Sequence, residues 1–379
     1  MKNKKCLTIA FVSDAVYPFN KGGKEKRLYE MSTRLVNAGH NVHIYCMKWW
    51  KTKDNERFEN GVYLHAISPL FPLYSGKRRS IKQAIFFALA CFKLLAVDFD
   101  VIDVDHMPHL VLFSTKIVTV LKRKKLYVTW NEVWGREYWN EYLGRLGNIA
   151  YIIEWLSVRM PDEIIAVSKH TKNKLITDLG IQKNITVVPN GIDLKVINSI
   201  KPSKCKSDII FAGRLLSHKN VNLLISSIHL LKSSFPNIKC IIVGKGPEEK
   251  KLKKLVRSLQ IKNNVLFYDF LENQNDLYAL MKASKVFVFP STREGFGIAA
   301  LEANASGIPV ITTDHQDNAT KDLIKNGLNG ETVQLDKNKI AKIIKKYLTT
   351  NLVPNNYITI VKKYNWDALS KRIERVYSI

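Results

Sequence analysis

The sequence is short of cysteine, short of acidic residues and without any long apolar run, and each shortage removes a class of explanation. Five cysteines, Cys6, Cys46, Cys91, Cys205 and Cys240, make an odd number with no CxxC pair. That excludes a disulfide framework and the common zinc spacings; buried free thiols in a reducing cytosol are the expectation. No segment has the ~20 apolar residues that a bilayer span requires. The nearest, IFFALACFKLLAV at 85–97, is too short and holds Lys93. The N-terminal MKNKKCLTIAFVSDAV begins like a signal peptide, but its apolar run stops at Ser13-Asp14 without a small-residue cleavage site, so it reads as a first core strand. The shortage of acids is the largest departure, with 33 Asp and Glu against 59 Lys and Arg and a net charge of +26. The excess is no tail, because residues 1–200 carry 30 basic against 18 acidic and the rest 29 against 15. Such a surface attracts nucleic acid, anionic lipid headgroups or phosphorylated small molecules. No helix-turn-helix, zinc-ligand spacing or RNP-like aromatic motif is present, so a nucleic-acid-binding reading rests on charge alone.

What is there is a soluble-protein composition, 46% hydrophobic and 24% charged, over 379 residues. That length exceeds one ordinary core and predicts two domains. Strand-like and helix-like stretches alternate throughout. LTIAFV (7–12), the turn NKGG (20–23), a helical spacing over 24–39 ended by Gly39, and NVHIYCM (41–47) make a βαβ unit. Further strands are expected at 101–104, 125–130 and 163–168, and NITVVPNGID (184–193) closes the first half. SIKPSKCKS (199–207) has the composition of a linker. A second strictly alternating series starts at DIIFAG (208–213) and runs through VFVFP to PVITT. The fold class is therefore α/β, two units in tandem, each with a parallel sheet and covering helices.

Three stretches carry chemistry. In FAGRLLSHKN (211–220) a strand ends at Gly213, Arg214 follows, and Lys219 precedes a helix. Cations beyond the carboxyl end of a parallel strand are placed for a diphosphate, though two solvated surface charges would read the same. IIVGKGP (241–247) resembles a dinucleotide fingerprint, but Glu249 stands at the third glycine position, and a tight strand-to-helix turn is the better reading. STREGFGIAALEANASGIPVI (291–311) sets Glu294 and Glu302 on either side of a glycine turn and a helix start. Were the span all helical, the two carboxylates would lie ~12 Å apart, about the reach from sugar to ribose in a nucleotide sugar. Glycines let backbone N–H groups approach phosphate, and carboxylates hold hydroxyls. Taken singly, Glu294 could serve a helix dipole and Glu302 could sit on a solvated helix face.

The array of motifs resembles the large retaining glycosyltransferase family numbered four, of GT-B fold. The resemblance is carried by Gly22-Gly23 with LVNAGHNVHIY, IIAVSKHTK, VVPNGID, FAGRLLSHKN, IIVGKGP and the 291–311 stretch, in the family's order over nearly the whole chain. YNWDALSKRIERVY at 364–377 is similar to the family's last helix. The resemblance implies two Rossmann-like domains with parallel sheets facing across a cleft: residues 1–195 for the acceptor, 196–360 for the nucleotide sugar, and 361–379 as a helix returning to the first domain. It implies that Arg214 and Lys219 neutralise the departing donor diphosphate, Glu302 binds ribose, and Glu294 contacts the donor sugar. Backbone groups of Gly295, Phe296, Gly297 and Ile298, with Gly213, would hold sugar and phosphate, and Gly22 and Gly23 would approach the donor from the first domain. It further implies a retaining transfer without metal or other cofactor, by same-face substitution in which the leaving phosphate takes the acceptor proton.

Other motifs are read against that pattern. Asp103-Val104-Asp105 has the DxD form of metal-dependent transferases, and is discounted because the surrounding chain resembles the metal-free type. The family's functional histidine falls at Asp105 or His106; His106 is taken, against a packing role of similar weight. Asn131 and Glu132, beside Trp130, Trp134 and Trp139, are candidates for acceptor recognition, with a packed connection as the plainer reading. GKRRSIKQAIFFALACFKLL (76–95) is basic, then apolar with little polar face; it reads as a buried helix or as a dock on an anionic membrane. The expected function is transfer of a sugar from UDP- or GDP-sugar to a glycan or lipid-linked acceptor in polysaccharide or glycolipid synthesis. The expected place is the cytoplasm, free or peripheral on the inner face of the plasma membrane. A sugar-nucleotide epimerase of the same architecture is the alternative; a phosphorylase would need a pyridoxal-phosphate lysine and a longer chain.

Overall fold

A computed structural model describes residues 6–75, 78–269, 271–350 and 355–377, without the side chains of residues 355, 356 and 358. The chain divides into two units: residues 1–190 with 366–379, and residues 191–365.

Unit 1 is built on an eight-stranded sheet. Its strands are β1 (Thr8–Val12), β2 (Asn41–Met47), β3 (Glu56–Glu59), β4 (Val62–Ser68), β7 (Val101–Asp105), β8 (Leu126–Trp130), β9 (Glu163–Ala166) and β10 (Ile185–Val187); β5 (Tyr74–Ser75) and β6 (Arg78–Arg79) form a separate small hairpin. The order is β10-β9-β8-β7-β1-β2-β4-β3. Every pairing is parallel except β3 with β4, an antiparallel edge turned by Asn60 and Gly61 at positive φ (51° and 81°). Apolar residues on both faces of the central strands demand cover on both sides. One side is covered by α1 (Gly23–Asn37) and by α14 (Trp366–Tyr377), which buries Trp366, Leu369, Ile373 and Tyr377 against β1 and its neighbours. The other is covered by α2 (Ile81–Ala90), α3 (Leu110–Lys122), α4 (Gly135–Leu143) and α5 (Gly147–Ser157), around buried Phe87, Leu112 and Trp130. Helix α6 (Lys169–Thr177) follows β9 and is capped by Ser168, which accepts from the N–H of Thr171. The apolar run at 85–97 is α2 plus a 3₁₀ turn (Cys91–Ala96), and Gly76 and Lys77 at its basic start lie outside the described residues.

Unit 2 has six parallel strands, β11 (Ser207–Ala212), β12 (Cys240–Val243), β13 (Val265–Tyr268), β14 (Ser284–Phe289), β15 (Val310–Thr313) and β16 (Gly330–Val333), in the order β13-β12-β11-β14-β15-β16. Its helices are α7 (Leu194–Ser199), α8 (Val221–Leu231), α9 (Glu249–Ser258), α10 (Gln274–Lys282), α11 (Ile298–Ala305), α12 (Lys337–Thr349) and α13 (Asn355–Val361). The polar stretch 199–207 is not a free linker. The N–H groups of Ser203 and Ser207 donate to the carbonyls of Ala279 and Ala283, and Lys282 Nζ donates to the carbonyl of Ile200 at 2.8 Å. The last turn of α10 thus satisfies its orphan carbonyls by gripping this segment. The thiols divide as well: Cys46, Cys91 and Cys240 are buried, Cys205 is half-buried and Cys6 is exposed.

In each sheet the strand order reverses next to the first strand, between β1 and β7 and between β11 and β14. Ligands of open parallel sheets bind beyond the carboxyl ends at such a point. The loops that leave these four strands hold most of the residues singled out by the sequence.

Candidate active site

In unit 2 the loop after β11 and the loop after β14 are tied to each other. The N–H of Thr292 donates to the carbonyl of His218 at 2.9 Å, and Asn220 Nδ2 donates to the carbonyl of Pro290 at 3.1 Å. This brings Lys219 onto Glu294: the ammonium donates to Glu294 Oε1, both side chains are 12% exposed, and the ammonium also lies 4.7 Å from the centre of the Phe289 ring. Arg214 belongs to the same cluster. The imidazole of His218 is pushed down to about 2 by burial first, then by Lys219, Arg293 and Arg214. A neutral histidine thus sits amid three cations, a field that favours a multiply charged anion. His218 was not singled out in the sequence; its place between Arg214 and Lys219 was the available signal.

Glu294 does not begin a helix. Its N–H donates to the carbonyl of Asp317 and its carbonyl accepts from Ala319, a one-residue parallel bridge to the segment after β15. Helix α11 starts only at Ile298, with no acidic residue in its first turn. The all-helical spacing of ~12 Å is therefore corrected, because only Ile298 to Glu302 contribute helical rise, ~6 Å. The turn between is set by Gly297 at φ 97°, where a Cβ would fall 2.3 Å from Thr320 Oγ1. Glycine there keeps the helix N-terminus open. Phe296 points inward, 5% exposed and edge-on to Tyr364, so it can offer a ligand only its backbone. Glu302 is not on a solvated face either: it is 3% exposed, and its Oε1 accepts from Tyr278 at 3.0 Å and from Gln274 at 3.3 Å.

Gly213 directly follows β11, and its N–H donates to the carbonyl of Val243 at 3.0 Å. Gly244 and Gly246 have a packing reason: Cβ atoms there would lie 2.0 Å from the Gly213 carbonyl oxygen and 2.3 Å from that of Leu215. The GKG motif lets two strand-end loops touch backbone to backbone, as the turn reading held.

In unit 1 the loops after β1 and β7 and the start of α1 form a buried ionic network. Gly22 caps α1 with extended backbone and Gly23 opens it; a Cβ on Gly22 would meet Glu25 Oε2 at 2.3 Å. Lys24 Nζ donates to Asp14 at 2.6 Å and lies 3.4 Å from Asp105, while Arg79 Nη2 reaches Asp14 at 2.8 Å. Burial alone would raise Asp14, but Lys24 and Arg79 outweigh it and hold the carboxyl below its ordinary value. Asp105 also accepts from Ser13 at 2.6 Å and Asn131 at 3.0 Å, and Asp103 accepts from Thr129 at 3.0 Å and from Tyr377. The two acids of the DxD form are thus engaged by neighbouring side chains. His106 is 4% exposed, its Nδ1 accepts from the N–H of Asn131 at 3.3 Å, and its ring lies 4.9 Å from Trp130 and 5.7 Å from His109. Burial, then His109, Lys24 and Arg79, keep it neutral. Asn131 holds Asp105 and His106 in place. Glu132 is half-buried beside it. Glu154, unmarked in the sequence, is fully buried and accepts from Trp134 N–H, Gly135 N–H and Trp139 Nε1 at 2.8–2.9 Å, fixing the aromatic loop.

Residues 21–196 match the family described as Glycosyltransferase Family 4, and residues 193–363 match Glycosyl transferases group 1. An uncharacterised glycosyltransferase of Methanocaldococcus jannaschii is 26% identical over 98% of this chain and 98% of its own length. A phosphatidylinositol N-acetylglucosaminyltransferase subunit of Homo sapiens is 24% identical over 97% of this chain and 75% of its own. Among solved structures, HepE of Anabaena in complex with UDP and glucose shares the fold with a TM-score of 0.74 at 19% identity, over 98% of this chain and 99% of that one. Two units with parallel-dominated sheets, candidate residues at both strand-order reversals, and family matches spanning residues 21–363 lead to one conclusion: the chain is a glycosyltransferase of the family 4, group 1 kind, with the GT-B fold.

Proposed function

We propose that the protein transfers a hexosyl group, with retention of configuration and without a metal, from a UDP- or GDP-sugar to a glycan or lipid-linked acceptor in cell-surface polysaccharide or glycolipid synthesis. The observation that carries this reading is the grouping of Arg214, Lys219 and Glu294 around His218 at the strand-order reversal of unit 2. Fixed positive charge there would stabilise the diphosphate as its bond to the sugar breaks, which is where an electrostatic catalyst acts most strongly. Lys219 would exchange its contact with Glu294 for the diphosphate, freeing that carboxylate for a donor-sugar hydroxyl. Glu302, held by Tyr278 and Gln274, would take the ribose hydroxyls. The N–H groups of Gly295, Phe296, Gly297 and Ile298, with Gly213, would meet sugar and phosphate. Gly22, Gly23 and His106 would act on the donor from unit 1, and Asn131 and Glu132 on the acceptor. No helix among the described residues is long and apolar enough to cross a membrane, and the proposed working place is peripheral, on the cytoplasmic side. HepE in complex with UDP and the phosphatidylinositol N-acetylglucosaminyltransferase relative agree with a nucleotide-sugar donor and a lipid acceptor.

The test is a panel of UDP-, GDP- and ADP-sugars, with nucleotide release followed with and without lipid-linked acceptors in the presence of a chelator. Proton NMR of the product reads the anomeric configuration. Acceptor-dependent release is expected; donor turnover that ignores acceptor would assign an epimerase or hydrolase instead.

A further inference from the structure

The helices on one side of the unit 1 sheet bury polar side chains beside their apolar ones and leave other apolar side chains outside. On α2, Gln83 is fully buried while Ile85, Phe86 and Leu89 are exposed. On α3, Thr115 and Thr119 face inward while Val120 and Leu121 are 60% and 65% exposed. On α5, Glu154 and Ser157 are buried while Ile149, Ile152 and Trp155 are exposed. The inward polar groups have partners: Gln83 donates to Asp14, Thr115 to the Val111 carbonyl, Ser157 to the Glu154 carbonyl. Thirteen of the 22 large exposed apolar residues of the described chain fall between Ile81 and Leu156. Helix α2 packs along α3, and α3 along α5, so these side chains share one surface. A contiguous apolar surface of this kind needs an occupant.

Charge decides which. Residues 78–97 hold four basic residues and no acid, and residues 116–125 hold five basic residues and no acid. Lys82 lies 5.9 Å from the centres of both the Phe71 and Phe86 rings, and the Arg159 guanidinium sits 3.5 Å from that of Trp155. Cations beside aromatic rings at the rim of an apolar face suit the headgroup level of a bilayer. A second copy of a chain carrying +26 would be repelled, whereas an anionic surface is attracted.

We propose that the outer surface of α2, α3 and α5 docks on an anionic phospholipid bilayer. The apolar side chains enter the acyl boundary, and Arg78, Lys82, Lys124 and Arg159 remain among the phosphates. The inference extends the membrane reading of α2 alone to a three-helix face, and it rests on unit 1 rather than on the transfer site. The test is sedimentation of the full chain with vesicles of phosphatidylcholine, with and without phosphatidylglycerol. Binding is expected only with phosphatidylglycerol, weakening as salt is added. The double variant Ile85→Ser/Ile152→Ser should bind at least about tenfold more weakly with an unchanged unfolding temperature, since both residues are exposed. Lys82→Glu should weaken binding as well. Lys219→Ala should bind vesicles like the wild type, so failure of this face and failure of the donor site read separately. Protein that stays in solution with anionic vesicles overturns the proposal. So does vesicle binding indifferent to the apolar double variant, which would be charge adsorption alone. A concentration-dependent dimer that the double variant renders monomeric overturns it in favour of a second copy.

Discussion

Replacing His109 should flatten the acid sensitivity of unit 1 by a calculable amount. Burial and then Arg79 push its imidazole down to about 3, and burial, His109, Lys24 and Arg79 push His106 well below its ordinary value. Both stay neutral in the folded unit at mildly acid pH. In the unfolded chain, where the value is ~6.5, each takes up a proton. The unfolded state therefore binds more protons below ~6.5, so this contribution to stability is complete above that pH and is lost as pH falls. Between about pH 7.5 and about pH 5.5 the loss is about 1.4 kcal/mol for His109, and His106 adds a loss of the same sign. Asp103 opposes it: burial raises its carboxyl to about 6 against the pull of Tyr377, Thr129 and Arg27. The folded unit then takes up that proton first and regains about 0.8 kcal/mol over the same interval. Glu25 and Glu154, raised by burial, act in the same sense as Asp103, and His43, lowered by burial and His65, acts with the other histidines. These contributions are common to wild type and His109→Asn, so the variant should lose about 1.4 kcal/mol less than the wild type on acidification. All 7 tryptophans belong to unit 1, so their fluorescence during urea unfolding follows that unit alone. At a urea dependence of ~2 kcal/mol per molar, the two proteins should differ by about 0.7 M in the pH shift of the midpoint. Equal shifts in both would refute the assignment of a buried neutral imidazole.

Three more outcomes follow from single contacts. Tyr278→Phe removes the hydroxyl that donates to Glu302 at 3.0 Å; the donor KM should rise about fivefold, ~1 kcal/mol, with kcat little changed in steady-state assays. Gly244→Ala puts a methyl group 2.0 Å from the Gly213 carbonyl oxygen, and calorimetry should show unit 2 destabilised by about 2–4 kcal/mol while the tryptophan-monitored transition of unit 1 stays put. Glu154→Gln turns an amide toward three N–H donors that need an acceptor, so the tryptophan-monitored transition should lose about 2 kcal/mol.

The alternation of apolar strands with glycine-ended helices made both parallel sheets legible, because period and punctuation are local properties. The Asn60-Gly61 turn between β3 and β4 was equally local and was passed over, so the antiparallel edge was not anticipated. The segment at 199–207 looked like a linker because polarity and Pro202 say nothing of which helix carbonyls will capture its N–H groups. The units divide after Asn190 and Asn365, five residues from the expected points at either crossing, where the sequence changes character only gradually. In the site, Arg214, Lys219 and Glu294 could be named from their places after strands. Their grouping around His218 depends on β11 lying beside β14, a pairing of residues some 75 positions apart that no local pattern encodes. The apolar outer sides of α3 and α5 were hidden for the same reason. An apolar helix looks buried in sequence, and only the inward turn of Gln83, Thr115 and Glu154 shows which side faces out.

The central claim is that Lys219 and Arg214 stabilise a departing donor diphosphate. Its most direct test is the rate of acceptor-dependent nucleotide release by Lys219→Ala at saturating donor, with circular dichroism confirming the fold. The account predicts a fall of about 10²–10³ in kcat, the size expected when one charge-stabilising group is removed, and a comparable fall for Arg214→Ala. Turnover within about twofold of the wild type in both variants would contradict it.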